Sequence, residues 1–175
     1  MTVPEAPLEE TEFGLAASGD GWFVVNAREA HWVRRPGRGD SLPFEGKTDF
    51  PQIGVELYAL GPGEPIGMYH WEANQEDFLV LSGEGLLLIE GEDRPLRQWD
   101  FVHCPPVTKH IILGGPCLVL AVGAREPADP WGGYSVDEVA LRHGAGHDRE
   151  TSDAEEAYAR FPPPEPARYQ EGRLP

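Results

Sequence analysis

Basic charge, cysteine and long apolar runs are all scarce in this chain. Only 14 of its 175 residues are Lys or Arg, against 30 Asp or Glu, which leaves a formal net charge of −16. Acids outnumber bases along the whole length, by 9 to 5 over residues 1–50, 10 to 4 over 51–125 and 11 to 5 over 126–175. No stretch is basic enough to neutralise phosphates or attract anionic lipid, so neither nucleic acid nor a membrane is expected as a partner. No run approaches the ~18 apolar residues of a membrane span. The opening Met1-Thr2-Val3-Pro4-Glu5 has neither the basic nor the apolar part of a signal peptide. Two cysteines, Cys104 and Cys117, are too few for a disulfide scaffold, and a cytoplasmic protein is the expectation.

What the chain does have is 21 glycines and 18 prolines, a density of chain-breakers that argues against a helical bundle. Its 40% hydrophobic content is enough for one core and excludes wholesale disorder. Residues 1–20 are acidic and lack periodicity, which suggests a loose arm, and Trp22–Val25 is the first strand candidate. Short apolar or alternating runs follow at Gly54–Leu60, Ile66–Glu72, Asp77–Leu81, Gly85–Ile89, Phe101–Cys104, His110–Leu113 and Leu118–Val122. Turn chemistry separates them at Gly61-Pro62-Gly63, Ser82-Gly83-Glu84-Gly85, Glu90–Asp93, Pro105-Pro106 and Gly114-Gly115-Pro116. Strands recurring about every 8–12 residues with such turns indicate an all-β sandwich, barrel or jelly roll. The expected division is an acidic arm over 1–20, a barrel over 21–125 and an extension over 126–175. The extension is expected to carry one or two short helices, one capped near Ser135 and stopped by Gly144 and a second over Asp153–Arg160 behind Ser152, and a Pro-rich end.

The chemistry gathers around His70 and His110. Period-2 alternation puts Met68, His70 and Glu72 on one strand face. Glu76 opens the next strand after a short polar turn, which can return its carboxylate to that face. Two imidazoles and one or two carboxylates converging in a barrel make a divalent transition-metal site, with Fe, Mn, Zn, Ni or Co as the candidates. Without a thiolate among the ligands, iron–sulfur chemistry is excluded. Glu56 and Tyr58 share a face on an early strand and are candidates for a buried acid and hydroxyl. Alternation sends His103 and Cys104 to opposite faces, so at most one of them points inward. Tyr69, Trp71 and Trp99 read as core or interface aromatics, and His143 and His147 as a helix-end and a loop residue.

Gly63 through Gly83, with His70, Glu72, Glu76 and Gly83, resembles the first motif of the cupins, a glycine, H-x-H, a glutamate and a second glycine. Asp100 through His110, with Pro105 and His110, is similar to the second. The resemblance covers roughly residues 53–123 and implies a double-stranded β-helix, a small jelly-roll barrel with metal ligands at its mouth. It also implies dimerisation through N-terminal strands, hence a homodimer. Residue by residue, His70, Glu76 and His110 take the ligand positions, a 2-His-1-carboxylate set with open positions. Glu72 stands where the second histidine usually does, as a fourth ligand or an unbound acid/base. Val107 stands at the usual glycine of the second motif.

The function these residues imply is a metal-dependent enzyme acting on a small organic substrate in the barrel. Dioxygenase, isomerase and decarboxylase chemistry all remain open, with Glu72 or Tyr58 moving the proton. A non-enzymatic barrel that binds a small ligand or metal is the first alternative, and a structural dimer that has lost its metal is the second.

Overall fold

The computed structural model describes residues 2–175. Two short strands, β1 (Leu8–Thr11) and β2 (Gly14–Ala17), pair as an antiparallel hairpin inside the segment expected to be a loose arm. Ten more strands form one antiparallel sheet. They are β3 (Trp32–Arg34), β4 (Asp40–Pro43), β5 (Ile53–Leu60), β6 (His70–Glu72), β7 (Glu76–Ile89), β8 (Glu92–Arg97), β9 (Phe101–Cys104), β10 (His110–Ala124), β11 (Gly132–Tyr134) and β12 (Glu165–Ala167). The order runs β11-β6-β10-β5-β4-β3-β12, while β7 pairs with β10, β8 and β9. The expected all-β jelly roll is the fold observed.

Period-2 alternation explains why the central strands are apolar on both faces. On β5, Tyr58 and Leu60 point into the barrel core, while Leu57 and Ala59 point into a second core on the sheet's outer face. Strand β10 repeats this, with Cys117 and Val119 inside and Leu118 outside. Ala30 and Trp32, before and on β3, cover the outer core from one end of the chain, and Ala167 on β12 covers it from the other. With both faces covered, neither strand shows the apolar/polar alternation of a half-exposed strand.

Two of the expected turns lie inside strands. Residues 77–89 belong to the single strand β7, and residues 110–122 to the single strand β10. Glycine there bends a strand without ending it: the β7–β10 register shifts between Gly114 and Cys117, opposite Gly83–Gly85. Gly83 has φ 76, and a Cβ built on it would strike the Pro116 carbonyl oxygen. Conversely, Trp22–Val25 is not a strand; Trp22 makes only an isolated bridge to Glu5. Of Ile66–Glu72 only the last three residues pair, as β6, and Trp99 is 66% exposed rather than core.

The two helices are present but one turn shorter in reach and capped by aspartates. α1 (Glu138–Arg142) is capped by Asp137, whose side chain accepts from Ala140 N. α2 (Ala154–Tyr158) is capped by Asp153, which accepts from Glu155 N and Glu156 N. Both carboxylates satisfy amides that a helix start leaves unpaired. Around them the chain returns to the barrel, because β11 pairs with β6 and β12 with β3. Among the described residues, no helix is long and apolar enough to cross a membrane.

Candidate metal centre

Register brings the two histidines together. His70 on β6 is the cross-strand partner of His110, the first residue of β10, and their rings lie 5.1 Å apart. Glu76 starts β7, whose pairing with β10 sets it beside Gly123. Its Oε2 lies 3.5 Å from His70 Nε2 and 3.3 Å from His110 Nε2. One ligand atom from each of these three residues falls within 4.8 Å of the others. Glu72 sits at the margin, Oε1 3.7 Å from His70 Nε2, and is not part of that compact group.

Each imidazole is oriented from behind. His70 Nδ1 lies 2.8 Å from the Met68 carbonyl oxygen and His110 Nδ1 lies 3.0 Å from that of Thr108. An Nδ1–H donated to a carbonyl leaves Nε2 as the free nitrogen, which is how proteins present histidine to a metal. In the neutral form, two Nε2 lone pairs then face a carboxylate oxygen. Both His110 Nε2 and Glu76 Oε2 are buried without a hydrogen-bond partner. Such a group is costly unless a proton or a cation enters it.

Electrostatics express the same demand. Burial alone would lower the His70 pKa, yet the facing carboxylates of Glu72 and Glu76 outweigh it and raise it to about 10. His110 is likewise opposed by burial, and the Cys104 thiol and Glu76 raise it to about 9. Burial would raise Glu76, but His110 and His70 hold it down at about 2. The donor set fits a divalent transition ion. Two atoms bound at about 2.1 Å to one ion stand roughly 3.0–3.4 Å apart, close to the separations seen here.

The remaining expected residues are placed as follows. Tyr58 lines the cavity beside the histidines and donates to Glu56 Oε2 at 2.6 Å; burial and then Glu56 push its pKa well up. His103 faces outward and bonds Asp77 at 2.6 Å, while Cys104 is buried. Both cysteines are free. Val107 adopts φ 65, the left-handed conformation that accounts for a glycine at this motif position. Its N–H donates to Glu72 O at 2.7 Å and so ties the turn before His110 to the His70 strand.

Sequence reasoning missed three further residues. Arg35, from the turn after β3, and Tyr158, from α2, line the cavity of about 160 Å³ that holds the His–Glu group. Tyr134 on β11 packs its ring 6.2 Å from that of His70. Nothing local in the sequence marks them, since each reaches the barrel from a distant segment.

A bent antiparallel barrel with two histidines and a glutamate gathered at one end defines the cupin class. Residues 56–123 match the family described as Cupin domain, and the fold is the all-β barrel of that class. Among solved structures it is similar to a candidate sugar phosphate isomerase from Acidithiobacillus ferrooxidans, at 27% identity and a TM-score of 0.45, covering 52% of this chain and 62% of that one. The chain thus spans less than two thirds of that protein. A cupin-superfamily sugar phosphate isomerase from Silicibacter pomeroyi aligns at 24% identity and a TM-score of 0.47, covering 58% of this chain and 72% of that one. A variant of salicylate 1,2-dioxygenase from Pseudoaminobacter salicylatoxidans aligns at 18% identity and 0.43, over 49% of this chain and 25% of that one. The search of curated proteins found no match.

Proposed function

We propose that this chain is a metal-dependent enzyme whose single divalent transition ion is held by His70, Glu76 and His110. The observation that carries the reading is the facing pair His110 Nε2 and Glu76 Oε2, both buried and both without a partner. A bound ion would supply Lewis-acid or redox chemistry to an oxygen of a small organic substrate. The chain's own residues would do the rest. The Met68 and Thr108 carbonyls hold the two imidazoles in their ligating orientation. Glu72, beside the group and 29% exposed, is the carboxylate free to take or give a proton. Tyr58 is its partner on the β5 side, able to pass a proton to Glu56 through their 2.6 Å bond. Ile66, Phe78, Ile111 and Ile112 keep that part of the cavity dry. The resemblance further suggests a homodimer, which light scattering on the purified protein checks.

The test is the elemental metal content of untagged protein purified without chelator, beside the His70→Ala/His110→Ala variant. Close to one ion per chain in the wild type, lost in the variant, supports the reading. No metal in either, even after reconstitution with Fe, Mn, Co, Ni and Zn, overturns it in favour of a metal-free binding barrel.

A further inference from the structure

The cavity that holds the His–Glu group is lined by one arginine and backed by a second that has no carboxylate partner. The turn Arg35-Pro36-Gly37-Arg38-Gly39 joins β3 to β4 and is closed by Arg35 N to Gly39 O at 2.9 Å and Arg38 N to Arg35 O at 2.7 Å. Gly39 has φ 71, and a Cβ there would lie 2.6 Å from the Ala59 oxygen, so the turn lies flat on β5. Arg35 lines the cavity. One of its nitrogens donates to Glu56 at 2.7 Å, while its Nε is buried without a partner.

Arg38 is more isolated. It is only 6% exposed, its Nε has no partner, and no carboxylate among the described residues lies within ion-pair distance of it. Its guanidinium lies 4.3 Å over the ring of Tyr158, the side chain that separates it from the cavity, and 5.3 Å over Phe161. Asp40, two residues away, is committed to Arg34 and Arg173. Burial accordingly draws the Arg38 pKa down. Glu56 pairs with Arg35, so Arg38 is the guanidinium beside this cavity left without a carboxylate partner. Aromatic stacking does not replace a counter-ion for a buried guanidinium.

We propose that the cavity takes a small organic anion, a carboxylate or a phosphate ester, whose oxyanion docks on Arg35 while Arg38 supplies the uncompensated charge behind Tyr158. The proposal rests on the substrate entering this cavity, as the preceding section reads it. A volume of about 160 Å³ limits the enclosed part of the ligand to about six non-hydrogen atoms, the scale of a benzene-sized cavity. With one nitrogen on Glu56, Arg35 keeps its unpartnered Nε–H and its other terminal nitrogen for either oxyanion. Arg38 acts as a positioning residue through its charge.

The experiment uses chelator-treated, metal-free protein titrated with glycolate, inorganic phosphate and uncharged ethylene glycol at low millimolar concentration, read by Tm and by calorimetry. Glycolate or phosphate should raise Tm and ethylene glycol should not; whichever anion binds identifies the group. Arg35→Gln and Arg38→Met should each weaken anion binding at least tenfold. Arg38→Met should also raise the ligand-free Tm, because it removes an unpaired buried charge, whereas a packing role through the rings would lower it. Should that variant fail to fold, its charge is structural and Arg35→Gln alone decides the anion site. Because the response is read in metal-free protein, it separates this proposal from the metal reading. Absence of response to both anions, or an unchanged response in Arg35→Gln, overturns the proposal.

Discussion

Val107 offers a direct test of the backbone at the second cupin motif. Its φ of 65 lies in the left-handed region, where a β-branched side chain is an outlier. The side chain is 62% exposed, so little packing confounds its replacement. Comparing Val107→Ala with Val107→Gly isolates the conformation, since both remove the isopropyl group. At an ordinary φ, glycine would be the less stable of the two by roughly 0.5–1 kcal/mol through its unfolded-chain entropy. At a left-handed φ an L-residue costs about 1–2 kcal/mol that glycine does not. The difference leaves Val107→Gly more stable than Val107→Ala by about 1 kcal/mol. For a chain of this size that is a Tm higher by roughly 2–4 °C. Differential scanning calorimetry at matched metal content measures it. The Val107 N–H bond to Glu72 O is made by backbone and survives in both variants, so metal content should match wild type. If the alanine variant proves the more stable, the left-handed turn and its link to the His70 strand are refuted.

Other expectations follow from the same geometry. At pH 8, metal binding should release between one and two protons per ion, because His70 and His110 are raised to about 10 and about 9. Unperturbed imidazoles, only ~3% protonated there, would release almost none; calorimetry in buffers of different ionisation enthalpy distinguishes the two. Without metal, those raised values stabilise the fold fully below pH 6.5, and that contribution is lost as pH rises through about 9–10. The depressed Glu76 contributes above pH 4.5 and loses its share as pH falls towards about 2, so Tm should fall on both sides of the interval between. Glu72→His should shift selectivity from Fe and Mn towards Ni and Zn in competition dialysis, and unchanged selectivity would place Glu72 off the ion. Gly83→Ala should cost roughly 2–4 kcal/mol in urea unfolding, from the left-handed strain and the clash with Pro116, and a neutral result would refute the bulge.

Much of the candidate centre was legible because its signals are local. His70, Glu72 and Glu76 sit within seven residues and His110 follows a proline turn, and the resemblance to the two cupin motifs joined what spacing suggested only weakly. Arg35, Arg38, Tyr134 and Tyr158 carried no such signal. A glycine-rich arginine turn and a tyrosine in a C-terminal helix look like surface features until the sheet closes. Alternation showed that His103 and Cys104 take opposite faces, and the structure buries Cys104; of the core and interface readings open for Trp99, its exposure removes the core one.

From the amino-acid order alone came the all-β class, the strand spacing, the acidic surface and the histidine–carboxylate motif. Each is a matter of period, composition or short separation along the chain. Only the tertiary structure decided that the glycine runs at 82–85 and 114–116 bend β7 and β10 instead of ending them. The same local glycine chemistry serves a turn and a bulge, and cross-strand pairing selects between them. Only the tertiary structure, too, returned β11, β12 and Tyr158 from the C-terminal segment to the barrel, setting an arginine pair beside the His–Glu group. Those contacts join residues 60 to 135 positions apart, and they form because both faces of the sheet carry apolar side chains that must be covered.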